Sequence, residues 1–97
     1  MTKAVIWTPE AEAAFDAIIN YLKVEWSEQE VTQLINSTER VITLISEHPK
    51  MYRKINRKHV HEALITPHNI LIYKIYSTHI DLLTFWDTRK NPRKKKF

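Results

Sequence analysis

Residues 70–87, ILIYKIY-ST-HIDLLTFWD, decide the fold. Residues 70–76 are almost wholly β-branched, aromatic or aliphatic, with only Lys74 breaking the run. Such a short apolar segment is a strand rather than a buried helix. Ser77 and Thr78 supply a turn, and residues 79–87 form a second run, so the two strands pair as an antiparallel hairpin. Side chains alternate across a strand. Simple alternation places Ile80, Leu82 and Trp86 on one face and Leu83 and Phe85 on the other. In the first strand Ile70, Ile72 and Tyr76 oppose Leu71, Tyr73 and Ile75. Both faces are therefore apolar. A helix pair covers one of them, and the other is left partly bare, as partner-binding surfaces are.

Upstream, residues 58–65, KHVHEALI, read as a further strand, and Thr66-Pro67-His68-Asn69 as a turn in which Pro67 presets φ. Before them the period changes to helical. Val31, Leu34, Ile35, Thr38, Val41, Ile42 and Ile45 follow i, i+3, i+4, i+7 spacing, and Pro49 ends the run. Ser27 with Glu30 forms a capping-box signature at its start. A first helix is predicted from Thr8 as N-cap and Pro9 at the first turn to near Glu25, with Phe15, Ile18, Ile19 and Leu22 on its apolar face. The short link between the helices favours an antiparallel helical hairpin. Residues 3–7, KAVIW, read as an opening strand. The order is β-α-α-β-β-β: an α+β domain, with an antiparallel sheet carrying a helical hairpin on one face.

Composition narrows the function. The chain has 97 residues, 43% of them hydrophobic, which suits one domain over residues 1–97. It has no cysteine, excluding thiol catalysis, disulfides and cysteine zinc sites. It has no glycine, excluding the P-loop and the dinucleotide fingerprint. No apolar run approaches the ~20 residues of a membrane span, and MTKAVIW is not a signal peptide. The expected compartment is the cytoplasm, with no membrane partner and no cofactor or metal. Charge is asymmetric. Residues 1–47 carry eight acids and three bases (−5); residues 48–97 carry twelve bases and three acids (+9). Lys50, Arg53, Lys54, Arg57 and Lys58 form one basic cluster. Arg89, Lys90, Arg93 and Lys94 to Lys96 form another, running into a tail from about residue 92 that is expected to be flexible. An anionic partner, nucleic acid or acidic protein, fits this half.

Four stretches carry a resemblance: W-T-P-E-A-E at Trp7–Glu12, the helical hairpin, N-I-L-I-Y-K-I at Asn69–Ile75, and L-L-T-F-W-D-T-R-K-N-P at Leu82–Pro92. Over about residues 4–92 the chain resembles the RelE/ParE toxins of bacterial type II toxin–antitoxin systems, and its last strand looks like the ParE-type plasmid-stabilisation branch. The resemblance implies a cognate acidic antitoxin that folds on binding. It leaves open a homodimer or a toxin–antitoxin hetero-oligomer.

The family contains two activities: RelE-type members cleave mRNA on the ribosome, and ParE-type members poison DNA gyrase by binding. Metal-independent RNA cleavage needs a base for the 2′-OH and cations for the phosphorane. By alignment with the family, Ile70 stands where RelE-type members carry arginine, and His61, Ala63 and Ile65 fall near positions that are otherwise basic. The resemblance thus implies a gyrase-type inhibitor rather than an enzyme. In the alternative, an endoribonuclease acting at the ribosome, Arg89, Lys90 and His61 are the catalytic candidates; a third outcome is a relative that binds antitoxin without being toxic. The partner-binding candidates are Arg53, Lys54, Arg57, Lys58, Trp86, Arg89 and Arg93. Arg89 is the leading one, as a bidentate clamp for phosphate or carboxylate, against a salt bridge to Asp87 two positions earlier. His59 and His61, two apart on one strand, have no third metal ligand.

Overall fold

The computed structural model describes residues 2–55 and 57–91. Strand β1 (Ala4–Trp7) leads into helix α1 (Pro9–Glu25) and helix α2 (Glu28–Glu47). Then come β2 (Arg53–Lys54), β3 (Val60–Thr66), β4 (Asn69–Ile75) and β5 (His79–Asp87). The sheet order is β1-β5-β4-β3-β2. All pairs are antiparallel except β1 with β5, a parallel pairing that the long connection through the helical hairpin and three strands permits.

Local chemistry sets the helix ends. Thr8 accepts from the Ala11 amide, and its hydroxyl also donates to the Leu82 carbonyl at 2.6 Å, so one side chain both caps α1 and ties it to β5. Ser27 caps α2 by accepting from the Glu30 amide. Beyond α2, the Tyr73 hydroxyl donates to the Pro49 carbonyl at 2.6 Å, fixing the helix exit against β4. Burial, followed by the neighbouring Tyr52, raises the Tyr73 pKa well above the usual phenol range.

The core lies between the hairpin and one sheet face. Leu22, Ile45, Leu71, Ile80 and Leu82 are wholly buried there, each contributing roughly 1.5–3 kcal/mol of burial free energy. An aromatic trio closes it: Trp7 stacks on Phe85 with centroids 5.2 Å apart, and Phe15 meets both.

Simple alternation along β5 fails at one residue. Tyr73 pairs with Leu82, but Ile72 pairs with Thr84, so Leu83 is an extra residue in a β-bulge. A bulge shifts every later side chain to the opposite face. Phe85 therefore joins Ile80 and Leu82 in the core, and Trp86 turns to the face away from the helices, the reverse of the expected assignment. On that outer face Leu64, Ile70 and Trp86 stand in register across three strands, and Leu64 is 63% exposed. Two further expectations change. β3 begins at Val60, not at residue 58, because His59 takes a left-handed φ of 62°. Arg53 and Lys54 form a short edge strand that their composition does not announce.

Candidate functional site

The central strands carry charged side chains at both ends. At the first, β5 runs out at Asp87, whose side chain is fully buried. Asp87 Oδ1 accepts from the Arg89 amide at 2.8 Å and the Lys90 amide at 3.2 Å, turning the chain sharply after the strand. Its Oδ2 accepts from Asn69 Nδ2 at 2.7 Å, and Asn69 in turn accepts from the Thr66 hydroxyl.

This turn aims Arg89 back over the knot. Arg89 Nη2 reaches Asp87 Oδ2 at 3.1 Å, and Nη1 reaches Glu30 Oε1 at 2.6 Å. The guanidinium carbon sits 4.9 Å from the centre of the Trp26 ring. Only 11% of the Arg89 side chain is exposed. Burial alone raises the Asp87 pKa, but the hydrogen bonds from Arg89, Asn69 and the two amides outweigh it and hold the carboxyl below its ordinary value. Burial likewise lowers the Arg89 pKa, and its bonds to Asp87 and Glu30 more than reverse that. One side chain thus joins the end of β5 to the first turn of α2. A small cavity of about 150 Å³ lies beside it, lined by Glu30, Asn69 and Arg89 among others.

Sequence reasoning identified the Arg89–Asp87 pair but missed Glu30 and Trp26. Glu30 carries the capping-box signature, yet its carboxylate is drawn to Arg89. Its separation of 59 residues from Arg89 leaves no local signal.

The other candidates are dispersed. His61 is buried on the helix-facing side; its Nδ1 lies 3.0 Å from the Tyr52 carbonyl, and its ring stacks on Tyr73. Lys90 contributes its amide to Asp87 and lies in the turn after β5. Arg53 pairs with Glu62 at 3.3 Å, and Lys54 lies beside it on the edge strand. Trp86 is half-buried on the outer face. Arg57 and Lys58 lie in the β2–β3 loop at the far end of the central strands, about 20 Å from Arg89 by strand rise. Arg93 and the tail from residue 92 lie outside the described residues. Among the described residues there is no cluster of three or more metal-ligating side chains, and no helix is long and apolar enough to cross a membrane.

A strand, a helical hairpin on one face, and an antiparallel set of strands make the architecture of solved RelE/ParE-type toxins. The same fold occurs in the chromosomal ParDE system of P. aeruginosa, with a TM-score of 0.75 and 13% identity over 89% of this chain and 96% of that one. It occurs in the E. coli DinJ–YafQ toxin–antitoxin complex, at 0.61 and 11% over 94% and 98%. It occurs again in the YoeB dimer of Staphylococcus aureus, at 0.61 and 13% over 89% and 97%. No curated protein sequence matches the chain. Residues 5–92 match the family model of the ParE toxin of type II toxin–antitoxin systems, parDE, and the chain belongs to that family.

Proposed function

We propose that this toxin acts by binding DNA gyrase rather than by cutting mRNA, and that an acidic antitoxin segment neutralises it in the cytoplasm. The observation that carries the reading is the state of the three groups a nuclease would use. Arg89 is held by two carboxylates and an indole, leaving no free fork for a phosphorane. His61 is buried on the helix-facing side, against Tyr73 and the Tyr52 carbonyl. Lys90 lies past the strand end. An RNA substrate on the outer face would meet the apolar row of Ile70, Leu64 and Trp86, with Arg53 and Glu62 at its rim already paired with each other.

That apolar row suits an antitoxin. Its hydrophobic side chains would cover Leu64, Ile70 and Trp86, and its carboxylates would reach Arg53 at the rim. Like the toxins in the DinJ–YafQ and YoeB–YefM complexes, this chain would be held by a partner encoded with it, in the manner of a plasmid-stabilisation pair.

Two assays test the reading together. Purified protein is added to a cell-free translation reaction and the mRNA is mapped by primer extension; intact message is expected. A gyrase supercoiling assay should then show inhibition, relieved by the antitoxin. New 5′ ends inside translated codons would make the chain a ribosome-dependent nuclease instead. Intact mRNA with unaffected gyrase would leave a silent relative.

A further inference from the structure

The end of the sheet opposite Arg89 concentrates positive charge around a single acid, Asp81, which stands opposite Lys74 across β4–β5 and lies 3.4 Å from His79 Nε2. Two concavities, of about 520 Å³ and about 350 Å³, meet around the end of β4 and share Lys58, Lys74 and Tyr76. Lys3 and Lys50 line the first, and Arg57 lines the second. These cations come from four separate places: the residue before β1, the exit of α2, the β2–β3 loop and β4 itself. No carboxylate lines either concavity, and among the described residues none of the five cations pairs with one. Lys3 Nζ instead donates to the Tyr76 carbonyl at 2.6 Å, which holds an ammonium at the groove by a neutral acceptor.

We infer that this groove is a phosphate-backbone site for duplex DNA. Five cations gathered on concavities whose lining holds no carboxylate outnumber the one acid nearby, Asp81, and create the focused positive field that a polyphosphate backbone recognises. The aromatic group present argues against single strands, which bind by stacking bases on open rings. Tyr76 is already stacked on His79, with centroids 4.7 Å apart and planes 14° apart, and the Lys74 ammonium lies 5.1 Å from its centre. The ring is thus occupied within the chain. What remains for a ligand is a set of point charges, which track a backbone without reading sequence. The inference deepens the gyrase reading and rests on it for its setting, since gyrase holds a DNA duplex at its working surface.

The test is fluorescence anisotropy of the full-length protein with a labelled duplex of about 20 bp, across about 50 to 200 mM salt. The groove variant carries Lys50→Gln and Lys58→Gln, both exposed and outside regular elements. The control carries Lys23→Gln and Arg40→Gln, an equal loss of charge on the exposed helix surface. Every protein keeps its basic tail, so the difference between variants reads the groove. The groove variant should bind roughly tenfold more weakly, with a log–log salt slope smaller by about 2, whereas the control stays near wild type. Lys58→Glu alone, reversing the charge common to both concavities, should weaken binding as much. Equal losses in groove variant and control, or none in the groove variant, would overturn the inference. So would a poly-glutamate peptide of matched charge binding as tightly as the duplex with the same sensitivity to Lys58→Glu, which would make the groove an acidic-peptide site. Groove-dependent duplex binding by a wild-type protein that leaves gyrase unaffected would sink the gyrase reading and leave this one standing.

Discussion

At the Asp87 end of the central strands one guanidinium meets two carboxylates and an indole; at the Tyr76 end five cations line concavities that hold no carboxylate, and among the described residues none of the five forms an ion pair. Both ends look alike in a charge count, since each draws on a basic stretch of the C-terminal half. Their physics differs. A buried, fully bonded charge holds a fold together, because removing its partner strands the charge that remains. Exposed like charges repel one another, and they find their favourable energy only when a polyanion arrives. A basic residue is thus assigned a role by its partners rather than by its type.

The largest expected effect breaks the first end. Arg89→Ala leaves the wholly buried Asp87 with Asn69 and two amides but no counter-charge. The expected loss is about 3 kcal/mol, which lowers Tm by roughly 15 °C in a domain of this size. Thermal unfolding followed by circular dichroism measures it. The result also decides how growth-arrest data are read. If Arg89→Ala abolishes toxicity together with this drop in Tm, the lost activity reports a lost fold. If Tm is unchanged, Arg89 is not the structural tie its geometry describes, and the contrast between the two ends disappears.

A smaller effect concerns acid. The folded pKa of Asp87 is depressed below its ordinary 3.8. A depressed carboxylate contributes stability that is fully present above its unfolded pKa and is lost as pH falls through the folded one. Wild-type stability should therefore fall steadily from about pH 5 downward. Asp87→Asn should be less stable than wild type at neutral pH, and the gap should narrow as the pH drops. Urea midpoints measured across that range check it. A gap that stays constant in acid would mean that Asp87 acts through hydrogen-bond geometry alone and that its charge contributes nothing.

Most of the fold was legible because its signals are local. Thr8-Pro9 and Ser27 mark both helix starts within a residue, and the apolar runs at 70–76 and 79–87 mark the central strands, the first shifted by one residue from the observed Asn69–Ile75. What escaped is non-local. The bulge at Leu83 follows from how β5 pairs with β4, and nothing in L-L-T-F-W announces it; it exchanged Phe85 and Trp86 between faces. The Arg89–Glu30 tie spans α2 and the four strands that follow it. The basic groove gathers Lys3, Lys50, Lys58 and Lys74 from distant positions, whereas the sequence cluster at 50–58 groups Lys58 with Arg53, which the fold pairs with Glu62 on the edge strand.

The smallest expected effect has the opposite sign to the first. Replacing Lys50 and Lys58 by glutamine removes two cations that pair with no carboxylate among the described residues and lie beside Lys3 and Lys74. No favourable contact is lost, and some repulsion is relieved. Tm should stay level or rise by no more than about 3 °C, because exposed charges far from packed groups change stability little. The rise should shrink as salt is added, since screening already weakens the repulsion in wild type. Thermal melts of both proteins at low and high salt read this directly. A clear fall in Tm would mean that the groove lysines hold the fold as Arg89 does, and the two ends would then share one role. A level or rising Tm, set beside the large loss for Arg89→Ala, would separate them: positive charge fixed in place by its own chain at one end, and positive charge kept open for a ligand at the other.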